Sequence, residues 1–305
     1  MPAAITWERV SKRYTPHGPW ALQGVTLEIP PGAVVVLIAP PGAGKTTLLK
    51  LGLGLLFPTE GRVTVLGTED LETVRSRIGY LPQNADYHLV FTAREYLRWL
   101  GRLRGIPAEE LERRVLQLLG RLDLSSHAEE RLSAFSPDLL QRLGLAQALL
   151  ADPPLVFLDE PTARLEAEGE ALLEVCIQEL QAQGKTCLLT SRNLENAARL
   201  ATHLGLLQQG RLVDFREWST DSILYTFSLA VPPLPSQVQQ ALEKWDVTYD
   251  AEAGELWVKS ASDHVPEALL RLLLDHGVPP RAMTPRGLSL PEIYQAALEE
   301  DSGGN

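Results

Sequence analysis

An α/β fold is predicted: a parallel sheet carrying a phosphate-binding loop, with a helical subdomain, followed by a small α+β domain of ferredoxin-like order. Three observations predict it. The stretch "GAVVVLIAPPGAGKTTLL" runs from an apolar, β-branched segment through a Pro/Gly loop into helix-favouring residues. "PPLVFLDEPT" reads as a second buried strand ending in two carboxylates. From residue 222 the pattern changes to strand, helix, hairpin, helix, strand and helix. The 305 residues, 45% apolar and 22% charged, suffice for one large domain and one small one, each with a core.

The first stretch carries the most chemistry. Residues 33–38 form the continuous apolar run of a strand buried on both faces. The loop after them, Pro41-Gly42-Ala43-Gly44, can curl its backbone N–H groups around phosphate oxygens. Lys45 then reaches the outer phosphates, Thr46 offers its hydroxyl to Mg²⁺, and Thr47 continues the first helical turn, whose N-terminus adds its dipole. Ala39 stands where the full phosphate-loop pattern begins with glycine, and the two prolines after it stiffen the loop. Residues 155–158 form the second strand, and Asp159 at its end can hold the Mg²⁺ shell while Glu160 polarises an attacking water.

Composition excludes several classes. A net charge of −11 argues against a nucleic-acid binder that relies on a broad basic surface. Cys176 and Cys187 lie eleven residues apart, without CxxC or metal spacing, and read as buried reduced thiols. The six histidines show no ligand spacing. The opening "MPAAITWERVSKRY" is neither a signal nor a transit peptide, and runs such as "AVVVLIAP" are too short to span a bilayer, so a soluble chain is expected.

The two motifs, their separation and "LQRLGLAQALLADPPLVFLDEPT" resemble the ATP-binding-cassette (ABC) ATPases over about residues 3–215. The resemblance implies an ATP-binding domain over 1–218, with ATP and Mg²⁺ as cofactors. It places Tyr14 on the adenine, Gln83 in the Q-loop that reaches Mg²⁺ and water, and a helical subdomain over about 92–135 that docks on a membrane domain. "AEELERRVLQLLGRLDL" has the amphipathic spacing suited to that subdomain. Family cassettes dimerise head to tail, each ATP lying between one chain's phosphate loop and the other's signature, "LSGGQ".

Here the signature reads Phe135-Ser136-Pro137-Asp138-Leu139. Ser136 remains for the partner's phosphate, and it suits an N-cap followed by proline at the first helical position. Proline has no N–H to donate. Asp138 is expected to set a negative charge against the approaching γ-phosphate, a repulsion of about 4 kcal/mol per charge pair at about 4 Å and an effective dielectric near 20. Arg192 stands where the family has a histidine, and Glu166 where the D-loop has an aspartate. Arginine grips phosphate but cannot act as a neutral imidazole. The retained Lys45, Thr46, Asp159 and Glu160 imply strong Mg-ATP binding, and the departures imply hydrolysis that is slow or absent, with Glu160, Gln83 and Arg192 as its catalytic residues.

The tail is expected to form a βαββαβ accessory domain over 222–300, with a strand near Arg281–Thr284 and a last helix from Leu290. Its ending, "PRGLSLPEIYQAALEE", resembles extensions of bacterial drug-, sodium- and polysaccharide-export cassettes. The resemblance implies an ATPase subunit at the inner face of the cell membrane, held there by an integral membrane subunit and paired with a second cassette, identical or different. A regulatory or scaffold subunit that binds ATP without turnover is the alternative. A DNA-repair or translation cassette is disfavoured: the 91 residues from Lys45 to Ser136 leave no room for a long coiled coil.

Overall fold

The computed structural model describes residues 2–192, 199–218, 223–229, 234–242, 247–250, 254–260 and 264–287. The chain divides into two compact units, Met1–Trp218 and Ser219–Asn305.

In the first unit, β1 (Ile5–Arg13) pairs antiparallel with β2 (Trp20–Ile29) and β4 (Glu60–Val65) in a three-stranded sheet. β3 (Val34–Ile38) lies inside a separate six-stranded sheet, and all five of its residues are buried. That sheet runs β5 (Ile78–Leu81), β6 (Leu155–Asp159), β7 (Thr186–Ser191), β3, β8 (His203–Gln208), β9 (Arg211–Glu217). Its strands are parallel except for the final β8–β9 hairpin. Burial on both faces explains why β3 and β6 read as unbroken apolar runs rather than alternating ones.

α1 (Lys45–Gly52) leaves β3 through the glycine loop and buries Leu48, Leu49 and Leu51 in the main core, with Trp7 and Phe157 among its neighbours. The one-turn α2 (Leu71–Val74) follows β4. α3 (Ala93–Leu103) opens with a capping box: Glu95 N–H donates to Thr92 Oγ1 and Thr92 N–H to Glu95 Oε2. α4 (Ala108–Arg121) buries Leu111, Val115, Leu118 and Leu119, the apolar stripe of its sequence. α5 (Pro137–Leu149) and α6 (Ala167–Ala182) flank β6 in the chain.

The second unit has the order β10 (Ile223–Leu229), α7 (Ser236–Leu242), β11 (Val247–Asp250), β12 (Glu255–Ser260), α8 (His264–Asp275), β13 (Pro280–Gly287). Its sheet runs β11-β12-β10-β13, all antiparallel, around a core that includes Phe227, Leu256, Leu269 and Leu273. β13 is longer than the strand expected near Arg281–Thr284. It is an edge strand, which accepts Pro280 and Pro285, and it follows β10 from Ile223↔Gly287 to Leu229↔Pro280. The helix expected from Leu290 lies outside the described residues.

Candidate nucleotide-binding cleft

The loop between β3 and α1 is shaped by two glycines with positive φ, +81° at Gly42 and +102° at Gly44. Space decides Gly44 as well as torsion: a Cβ there would lie 2.5 Å from the Ala21 carbonyl oxygen and 2.7 Å from Leu22 Cδ2. Gly44→Ala is therefore expected to destabilise the first unit by at least about 1 kcal/mol, read as a lower denaturation midpoint.

The loop forms one wall of a cleft of about 370 Å³. Tyr14, Pro41, Gly42, Ala43, Gly44, Lys45, Thr46, Thr47, Gln83, Glu160 and Arg192 all line it. Eleven site residues named from sequence are thus brought together. Asp159 is fully buried behind them, and Ser136 belongs to another part of the unit.

Lys45 is only 7% exposed, and its ammonium donates to the carbonyls of Ala39 (2.5 Å) and Pro40 (3.3 Å). It also lies 3.3 Å from Glu160 Oε1. Thr46 Oγ1 donates to Asp159 Oδ2 at 2.7 Å, so a hydroxyl and a carboxylate converge beside the loop. Oxygen donors of this kind suit a small hard cation such as Mg²⁺, and Gln83 adds an amide oxygen to the cleft wall. Tyr14 keeps its ring 62% exposed at the rim while its hydroxyl bonds Thr47 Oγ1 at 3.0 Å. An exposed aromatic face tethered at one end can stack on a planar base.

Sequence reasoning missed Thr190. Its buried hydroxyl donates to Asp159 Oδ1 at 2.6 Å and accepts the Glu160 N–H at 2.8 Å, fixing both acidic residues from the end of β7. Glu160 needs that support, because its backbone sits at φ +51°, an uncommon conformation for a glutamate. No sequence spacing signals it; the parallel register that sets Asp159 opposite Thr190 makes the contact. Tyr80 is also close: burial, with help from the Asp159 charge, pushes its phenol up to about 12, so it stays neutral. Arg192 Nε donates to Glu160 Oε1 at 3.0 Å.

At the start of α5, Ser136 Oγ caps its own helix by accepting the Leu139 N–H at 3.2 Å. The expectation for Asp138 is corrected. Its carboxylate is 7% exposed and turned inward, 2.7 Å from Arg142 Nε, and its Oδ1 accepts the Glu166 N–H at 2.9 Å. A guanidinium one helical turn away and the N-cap amide of α6 compensate the charge, so it does not stand bare toward a partner's phosphate. Gly169 makes room for it: a Cβ there would lie 2.5 Å from Asp138 Oδ1.

The family model described as "ABC transporter" matches residues 22–163, the span from β2 through the Asp-Glu pair. The chain is 37% identical to an uncharacterized ABC transporter ATP-binding protein of Synechocystis sp., over 68% of this chain and 61% of that protein. It is 35% identical to Nod factor export ATP-binding protein I of Paraburkholderia xenovorans, over 69% and 70% respectively. It is 36% identical to a daunorubicin resistance ATP-binding protein of Streptomyces coeruleorubidus, over 69% and 67%. Among solved structures, the ATP-binding subunit of an ABC transporter aligns at TM-score 0.65 and 28% identity, covering 70% of this chain and 90% of that one. A dimeric ATP-binding cassette in a post-hydrolysis state with ADP and phosphate aligns at TM-score 0.65 and 25% identity, covering 70% and 99%. A phosphate loop on a parallel sheet, its buried Asp-Glu strand end, and the Nod factor and daunorubicin relatives matched over two thirds of both chains lead to one conclusion: this chain belongs to the ATP-binding proteins of the ABC transporter family.

Proposed function

We propose that the chain is the nucleotide-binding subunit of an export-type transporter, and that Mg-ATP binds in the cleft between Tyr14 and Glu160. One observation carries the reading: Lys45, the Thr46–Asp159 pair, Gln83 and Glu160 converge on a single cleft behind a glycine loop. In this reading Tyr14 stacks on the adenine, the amides of Gly42 to Thr47 cradle the phosphates, and Lys45 turns from its carbonyls to the outer ones. Thr46, Asp159 and Gln83 would hold Mg²⁺, which would supply charge neutralisation for the phosphates. Thr190 keeps the Asp159 carboxylate and the Glu160 backbone at fixed positions.

Export as the direction is supported by the names of the Nod factor and daunorubicin relatives. Among the described residues no helix is long and apolar enough to cross a membrane. An integral membrane subunit would then hold the chain at the inner face of the membrane. Leu89 and Val90, 49% and 72% exposed and six and seven residues beyond Gln83, offer apolar surface for that contact. A second cassette, identical or related, would complete each ATP site through Ser136.

A second reading, ATP binding without turnover, is favoured by a specific contact, the Arg192–Glu160 pair. The test of the first reading is fractionation. The chain is expected in membranes only when its membrane subunit is co-expressed, and ATP with Mg²⁺ should change the yield of the detergent-extracted complex. Recovery in membranes without that subunit would overturn the assignment.

A further inference from the structure

Glu160 is held by two cations at one oxygen. Its Oε1 lies 3.3 Å from Lys45 Nζ and 3.0 Å from Arg192 Nε, and its side chain is 7% exposed. The two cations differ in what else they can do. Lys45 sits in the phosphate loop, between backbone carbonyls and Glu160, where phosphates compete for it. Arg192, half exposed at the end of β7, has reach and solvent access. When phosphates draw Lys45 away, Glu160 would lose one of its two counter-charges, and a buried carboxylate left with none is costly. Among the described residues, Arg192 is the cation that can stay with it.

A carboxylate that polarises water must present an oxygen to that water. In hydrolysis the water oxygen bonds to the terminal phosphorus, and the bond to the bridging oxygen breaks with its electron pair going to ADP. The water proton leaves through the carboxylate to phosphate. An Oε1 engaged by a guanidinium presents its lone pairs to Nε instead. A planar, permanently charged group grips such an oxygen in a fixed direction, unlike an imidazole that can be neutral.

We propose that Arg192 is a positioning residue that keeps Glu160 paired while ATP is bound, so that Arg192 sets the lifetime of bound ATP. The inference rests on the cleft being the ATP site. Thr190 reinforces it: by holding the Glu160 N–H from the same strand that delivers Arg192, it fixes backbone and side chain together.

The test uses the full chain assembled with its membrane subunit, with phosphate release followed at saturating Mg-ATP and Mg-ATP binding measured on the same samples. Arg192→Ala is expected to raise kcat at least about tenfold, a fraction of what a freed general base can supply, with KM changed less than about threefold. Arg192→Lys, which keeps a charge near Glu160 but lacks the planar grip, is expected to give a kcat between those of the wild type and Arg192→Ala. Glu160→Gln in the Arg192→Ala background should remove the gain. An unchanged or lower kcat for Arg192→Ala, or a gain that survives Glu160→Gln, would overturn the proposal. The half-exposed arginine leaves folding intact, which a melting curve checks. Failure of the wild-type chain to bind Mg-ATP would overturn the cleft assignment and this inference together. Binding with an unmoved kcat overturns this inference alone.

Discussion

Lys45→Ala is expected to lower ATP affinity by about 100-fold or more. The ammonium is the only cation inside the phosphate loop, and it is nearly buried there, donating to Ala39 and Pro40 and lying beside Glu160. Each charged hydrogen bond to a phosphate oxygen contributes about 1.5–3 kcal/mol. Losing two such bonds amounts to at least about 3 kcal/mol, and every 1.4 kcal/mol is tenfold. The folded state should change less, because Arg192 still faces Glu160 and the loop is shaped by its glycines. Isothermal titration with Mg-ATP, set against a denaturation curve of the same sample, separates the two effects. Unchanged affinity would show that nucleotide binds elsewhere.

The largest stability loss is expected for Asp138→Gly, a change that would superficially restore the family's signature. It deletes a buried ion pair with Arg142 and an acceptor for the Glu166 N–H. Removing one partner of a buried pair costs about 3–5 kcal/mol, and glycine in the first turn of α5 adds about 1 kcal/mol. Arg142 keeps two weaker partners, Asp123 at 3.5 Å and Glu168 at 3.4 Å, both with exposed carboxylates. A net loss of about 3 kcal/mol is therefore expected, read from the urea midpoint at unchanged slope. Asp138→Asn keeps the acceptor for Glu166 and should cost less. A loss under about 1 kcal/mol would show that the inward network is not what holds the start of α5.

Local patterns made most of the frame legible. The apolar runs of β3 and β6, the glycine loop and the amphipathic stripe of α4 are each written in neighbouring residues. The gathering of Tyr14, Lys45, Gln83, Glu160 and Arg192 was legible only through the family pattern, since they come from five separate segments. Side-chain direction was not legible. Asp138 has helix-start chemistry that suits either an outward charge or an inward pair. What decides is Arg142 four residues on and Glu166 across a loop, a contact spanning 28 residues. Thr190 was missed for a similar reason, because a threonine at a strand end has no distinctive spacing. Its role comes from the register that sets it opposite Asp159.

The space beside Asp138 constrains how this sequence can have been reached. A side chain at position 169 would put its Cβ 2.5 Å from Asp138 Oδ1, which accepts the Glu166 N–H, and 3.3 Å from Arg142 Nε, which pairs with Asp138 Oδ2. An ancestor with alanine at 169 and aspartate at 138 would have had to break that lock. The viable order of substitution is therefore glycine at 169 first and the carboxylate at 138 second. With both in place each step back is costly for its own reason: Gly169→Ala strikes the carboxylate, and Asp138→Gly strands Arg142. The dependence runs one way in sequence space: relatives with a carboxylate at 138 should carry glycine at 169, while glycine at 169 can stand without the carboxylate.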